Sequence, residues 1–285
     1  MFPRIRLSIC ISLCLLAFSP PFSRGQYLKR PAELNYSRFR GQPAPSKGVL
    51  NALGQQARWS EQQDLNPNHL RLRFVKIDEQ PSQGGRVTDR YRIFVEGASE
   101  NKVFAFAYYL LNGSLLQPGQ DLYVNSQGLL MTHKPRPEQE TTIGAPNEEF
   151  VFAPVTSTAE PVRFLFSSMD RQLQIFDTLV PHPMAVEDKG CKLELRIAQP
   201  DTKAVLVFAD GFPAKSKIPL VLESEGETAL QEMVADSNGH AVFADFPYVL
   251  GKAQGNLKAT AEGPNCVPSI VLPWGPATDA APMTP

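Results

Sequence analysis

The sequence predicts an all-β protein of two tandem β-sandwich domains, and three observations carry that expectation. Short apolar–polar alternations recur at regular spacing from Leu70 onward, most cleanly after residue 188. Several segments of the first half return in the second. The 26 prolines are scattered through turns and termini, where they separate short strands. Hydrophobic residues make up 42% of the 285, enough for cores in two domains of roughly a hundred residues each.

The first element is a targeting segment. Arg4 and Arg6 form a short positive region, residues 7–18 are an apolar run, and Ser23 and Gly25 place small residues ahead of a cut before Gln26. This order reads as a cleavable secretory signal peptide over 1–25, its apolar run too short to span a bilayer. Cys10 and Cys14 lie inside it. A lipid-attachment cysteine would need a small residue before it, whereas Ile9 and Leu13 stand there. No later segment reaches the ~18 uninterrupted apolar residues of a membrane span. The mature chain is therefore expected to be secreted, periplasmic or on the cell surface. In that oxidising setting the two remaining cysteines, Cys191 and Cys266, are expected to form a disulfide. Closing so long a loop stabilises by about 4 kcal/mol on the chain-entropy account. A reactive cysteine would want a nearby His or a C-x-x-C spacing, and neither occurs.

Residues 26–66 read as a flexible lead, polar and rich in Pro and Gly, with a short helix over 51–59. Then Leu70, Leu72 and Phe74 alternate with Arg71 and Arg73 as a half-buried strand. Further strands are expected over 88–95, 102–111, 121–124, 129–131, 149–152, 162–166 and 173–178, with Gly84-Gly85 and 169–171 as turns. These make a first sandwich over 67–180. The two prolines around His182 mark a short stiff linker, 181–187. Leu193, Leu195 and Ile197 alternate with Lys192, Glu194 and Arg196 to open a second sandwich over 188–274. Its other strands are expected over 204–208, 218–222, 229–234, 241–246, 256–262 and 267–272, ahead of a disordered tail, 275–285. Seven strands with turn signals every 8–12 residues is the pattern of an immunoglobulin-like sandwich, though no Trp sits at the centre of an early strand.

An internal repeat divides the chain the same way. FVEG at 94–97 matches FADG at 208–211, and VNSQGLLM at 124–131 matches ADSNGHAV at 235–242 at nearly the same separation. The final hairpins, PVRFLF…LQIF and NLKATA…SIVL, correspond at a smaller separation, because the Pro-, Glu- and Thr-rich loop 132–148 is inserted in the first half. The segments GFPAKSKIPLVLES, ADSNGHAVF and CVPSIVLPWG resemble the immunoglobulin-like repeats of secreted bacterial proteins. The likeness covers the second domain well and the first weakly. It implies two tandem immunoglobulin-like domains with an adhesive or structural role, and no shared catalytic residues.

Candidate chemistry is sparse. His69, His133, His182 and His240 show no metal-ligand spacing and no H-E-x-x-H. Asp236-Ser-Asn-Gly239 suggests calcium, but the spread of ligands ending in Glu that an EF-hand loop needs is missing, and a β-turn is the simpler reading. There is no G-x-S-x-G elbow. Glu148-Glu149 reads as a solvated loop end. The sequence therefore predicts no enzyme, no metal and no cofactor. A net charge of −1 without a basic block argues against nucleic acid. A protein or a cell-surface polymer is the expected partner. Strand 102–111 stands out because both of its faces are apolar. One is expected to be covered by the lead, the second domain or a partner, which makes Phe104, Phe106 and Tyr108 a candidate partner surface. An alternative is a carbohydrate- or small-ligand-binding module with Tyr108, Tyr109 or Trp274 as an exposed aromatic platform. Asn35 and Asn112 match the glycosylation pattern, which matters only in a eukaryotic source.

Overall fold

The computed structural model describes residues 34–60, 69–81, 87–99, 103–111, 113–132, 148–170 and 172–276. The signal segment 1–25 with its two cysteines, Gly84-Gly85, Asn112, His133, most of the loop 132–148 and the tail beyond 276 lie outside them. In chain order the elements are β1 (Tyr36–Arg38), α1 (Lys47–Ala57), β2 (Arg71–Pro81), β3 (Val87–Glu96), β4 (Val103–Tyr109), β5 (Leu115–Val124), β6 (Leu130–Met131), β7 (Val151–Phe152), β8 (Val162–Ser168) and β9 (Gln174–Leu179). They continue with β10 (Met184–Asp188), β11 (Cys191–Ile197), β12 (Val205–Asp210), β13 (Lys217–Ser224), β14 (Glu227–Val234), β15 (Ala241–Phe246), β16 (Gly255–Ala261) and β17 (Ser269–Trp274). The all-β expectation holds.

The strands form four sheets, ordered β2-β3-β7, β6-β5-β4-β8-β9, β1-β15-β12-β11-β10 and β14-β13-β16-β17. The first two close on a core of Leu72, Ile93, Phe104, Phe106, Phe164 and Phe166, the last two on a core that includes Leu195, Val207, Leu220 and Leu257. Replacing β2, β3, β4, β5, β7, β8 and β9 by β11, β12, β13, β14, β15, β16 and β17 turns the order of these seven strands in the first pair into that in the second; β6 of the first pair and β1 and β10 of the second have no counterpart.

The repeated sequence segments fall on equivalent places. Phe94 and Phe208 lie near the ends of β3 and β12. Asn125 accepts from the backbone N–H of Gln127 and Leu129 (2.9 and 3.0 Å), and Asp236 accepts from those of Asn238 and His240 (2.7 and 3.0 Å). Such a side-chain turn favours Asn or Asp at its first position and a residue that tolerates positive φ near its end. Gly239 has φ +81°, and a Cβ there would stand 2.2 Å from the Phe212 carbonyl oxygen.

The lead departs from the expected flexibility over 34–60. β1 adds in parallel to β15, with Ser37 opposite Asp245. Ser46 caps α1 by accepting from the Val49 N–H (3.3 Å). Val49, Leu50, Leu53 and Ala57 then form an apolar stripe on the outer face of the β1-β15-β12-β11-β10 sheet, against Leu206, Phe208, Ala244 and Phe246. Burying that stripe is what orders a segment whose composition looks like a linker. The expected linker also contributes: Met184–Asp188 is β10, paired with β11. Ala159, between β7 and β8, is fully buried in the second core and bonds to His182 and Ile197 (both 2.8 Å).

Candidate functional site

The candidate partner surface at Phe104, Phe106 and Tyr108 is corrected by their packing. Phe104 and Phe106 are fully buried, and all three rings point into the first core. Phe104 stacks on Phe166 (4.4 Å between centroids), Phe106 on Phe164 (5.2 Å), and Tyr108 meets Phe152 edge-on (5.2 Å). Alternation along β4 separates its two faces but does not say which one turns inward. The opposite face carries the expected cover, and the lead supplies it. Trp59 lies edge-on to Tyr109 and Phe176 (5.1 and 5.3 Å), and its indole N–H donates to the Phe164 carbonyl (2.8 Å). Arg163 sits beside it, donating to the Leu110 carbonyl (3.2 Å) with its guanidinium 5.8 Å from the Trp59 ring, and burial pushes its pKa down to about 10. The aromatic platform expected at Tyr108, Tyr109 or Trp274 does not stand exposed, since both tyrosines are half-buried. Trp274 is 5% exposed, with its indole N–H donating to Ser224 Oγ (2.9 Å), and Tyr109 is held by Trp59.

Cys191 and Cys266 form the disulfide, Cα atoms 6.1 Å apart across a sequence separation of 75. Cys191 opens β11 in one sheet and Cys266 precedes β17 in the facing one, so the bond staples the two sheets together. Both residues are buried.

Two acid-centred clusters were not singled out from the sequence. In the first sheet pair, buried Asp89 accepts from the Tyr91 hydroxyl (3.0 Å) and pairs with the Lys76 ammonium (3.0 Å), with His182 Nδ1 3.9 Å away. Burial, and after it the Asp89 carboxylate, raises the Tyr91 phenol well above its ordinary range. On the five-stranded sheet of the second pair, Glu194 lies between Lys192 (2.8 Å) and Arg196, whose guanidinium also covers the Phe208 ring at 4.1 Å. Burial pushes the Glu194 carboxyl up, but its two cationic partners outweigh it and leave it below its ordinary value. At the end of the same face His240 Nδ1 meets Asp210 (2.6 Å), and that hydrogen bond holds the Asp210 carboxyl low. Each cluster joins neighbouring strands or ties a loop to a sheet. Among the described residues, no group of three His, Cys, Asp or Glu is placed to hold a metal ion.

Two cavities flank the lead. One of about 520 Å³ opens between β1, α1 and β14, near Tyr36, Leu50 and Gln231. The other, about 600 Å³, lies where the lead, the turn at Gln199–Lys203, the loop after β15 and the end of β17 converge. No model of a known protein family matches this chain, and no curated protein matches it either.

Proposed function

We propose that the chain is an exported, non-catalytic structural or interaction protein built from two immunoglobulin-like modules that the lead holds together. The observation that carries this reading is the pair of matching strand orders, spanned by one segment: α1 packs on the second module and Trp59 on the first. A duplicated sandwich with its own clamp is suited to holding a fixed spacing between two contact surfaces. The solvent face of β14-β13-β16-β17 is available for such contacts. Leu230 (76% exposed) stands opposite Val221, and Val271 (50%) stands opposite Lys258, an apolar–charged mixture suited to a protein or cell-surface polymer. The buried disulfide supports an oxidising compartment. The reading is tested by expressing the gene with its own N-terminus in a secreting bacterial host and measuring the intact mass of the product. Export predicts a chain starting at Gln26 and two hydrogens lighter than its reduced form. A cytoplasmic, reduced product that retains residues 1–25 would overturn it.

A further inference from the structure

The 600 Å³ cavity beside the lead has features that a module interface does not require. Its volume falls in the range of small-molecule sites, about 300–1,000 Å³. Its walls come from four separate segments and are mainly apolar, with Pro45, Val49, Phe246, Tyr248 and Trp274 facing it. The walls are braced independently of any ligand: Ser224 Oγ donates to the Pro247 carbonyl (2.7 Å) and accepts from Trp274, while Gln42 donates to the Phe246 carbonyl (3.0 Å). A site held open in this way loses little freedom when it is filled.

Charge and strain mark one side of the cavity. Asp201, Lys203 and Lys252 line it with exposed side chains, and Lys203 reaches Asp201 at 3.5 Å. Lys252, exposed at the mouth of this apolar cavity, forms no ion pair among the described residues. On the same side Asp201 (φ 57°, ψ 23°) and Thr202 (φ 52°) are consecutive non-glycine residues in the left-handed region. Such strain persists where the surroundings enforce it, often at binding sites. The Gly275 N–H holds this turn by donating to the Asp201 carbonyl (3.3 Å).

We propose that this cavity binds a small amphiphile with an apolar body and one carboxylate, its chain against Val49, Phe246 and Trp274 and its head group paired with Lys252. This goes beyond the structural role above and stands or falls separately from it. The test is calorimetric titration of the full mature chain with decanoate, and with decanol as the uncharged control. The expected result is one saturable site for decanoate, with decanol binding about tenfold more weakly. Lys252→Gln, a change at an exposed side chain, should bring decanoate to the level of decanol. Ala44→Trp, also exposed and on the cavity wall, should weaken both ligands at least tenfold while leaving the melting temperature unchanged. Three results would each overturn the proposal: no saturable heat with decanoate, equal binding of the two ligands to the unaltered chain, or decanoate binding that Lys252→Gln leaves intact.

Discussion

Asp245 offers the sharpest quantitative test of the packing described above. It sits on β15 opposite Ser37 on one side and the core residue Val205 on the other, and it is fully buried. Burial raises its carboxyl from the ordinary 3.8 to about 8, and the nearby Phe246 N–H and Ser37 hydroxyl, neither in hydrogen-bonding geometry with it, offset only part of that. The folded protein therefore keeps a proton at neutral pH that the unfolded chain releases above about pH 4. Because the folded-state pKa is the higher one, stability falls as pH rises between about 4 and 8, then levels off. The slope is about 1.4 kcal/mol per pH unit, so keeping this acid neutral at pH 7 costs up to about 4 kcal/mol. Asp245→Asn places a permanently neutral group of the same shape there. It should raise stability at pH 7 by up to that amount and remove the slope between pH 4 and 8. Urea denaturation followed by circular dichroism at pH 4.5, 6, 7 and 8.5 reads both effects. Parallel pH profiles for the two proteins, or a less stable variant at pH 7, would contradict a buried, protonated Asp245.

Three further perturbations have defined outcomes. Replacing both Cys191 and Cys266 by Ala should lower stability by about 4 kcal/mol, and a reductant should destabilise the native chain but not the variant, both read from urea midpoints. Gly239→Ala should cost at least about 1–2 kcal/mol in the same assay, because its positive φ and the 2.2 Å approach to the Phe212 carbonyl both penalise a Cβ. Trp274→Phe should lower stability by about 1–3 kcal/mol, since it leaves the buried Ser224 hydroxyl without its donor, and Ser224→Ala in the Trp274→Phe background should cost less than it does alone.

Strands whose side chains alternate between core and solvent were legible in the sequence. β13, β16 and β17 fall within a few residues of their expected positions, because one buried face per strand imposes a period of two, whereas β8, β12 and β15 are buried on both faces and were found as short apolar runs. β1 was not legible: Tyr36–Arg38 has three residues, and its inward side chain is the polar Ser37. β10 carries a Met184–Val186 alternation, but the flanking prolines made it read as linker. The helix was expected over 51–59, whereas Ser46 starts it a turn earlier and the Val49–Leu50–Leu53 stripe extends it toward the N-terminus. Asp245 carried a visible signal, an acid within the apolar strand AVFADF, but its burial depends on β1 arriving from far away in the chain. Lys192, Glu194 and Arg196 stand at period-two spacing on β11, so their shared face was visible but the burial of Glu194 was not, and the Asp89 cluster draws Lys76 and His182 from elsewhere in the chain.

If the lead joins the two sheet pairs into one unit, differential scanning calorimetry of the mature chain should show a single transition with equal calorimetric and van't Hoff enthalpies. Leu53→Ala combined with Trp59→Ala, which strips α1 and the indole from the two sheets, should split that transition in two. Two independent transitions in the unaltered chain, or a double variant that still melts in one step at an unchanged temperature, would contradict such a unit.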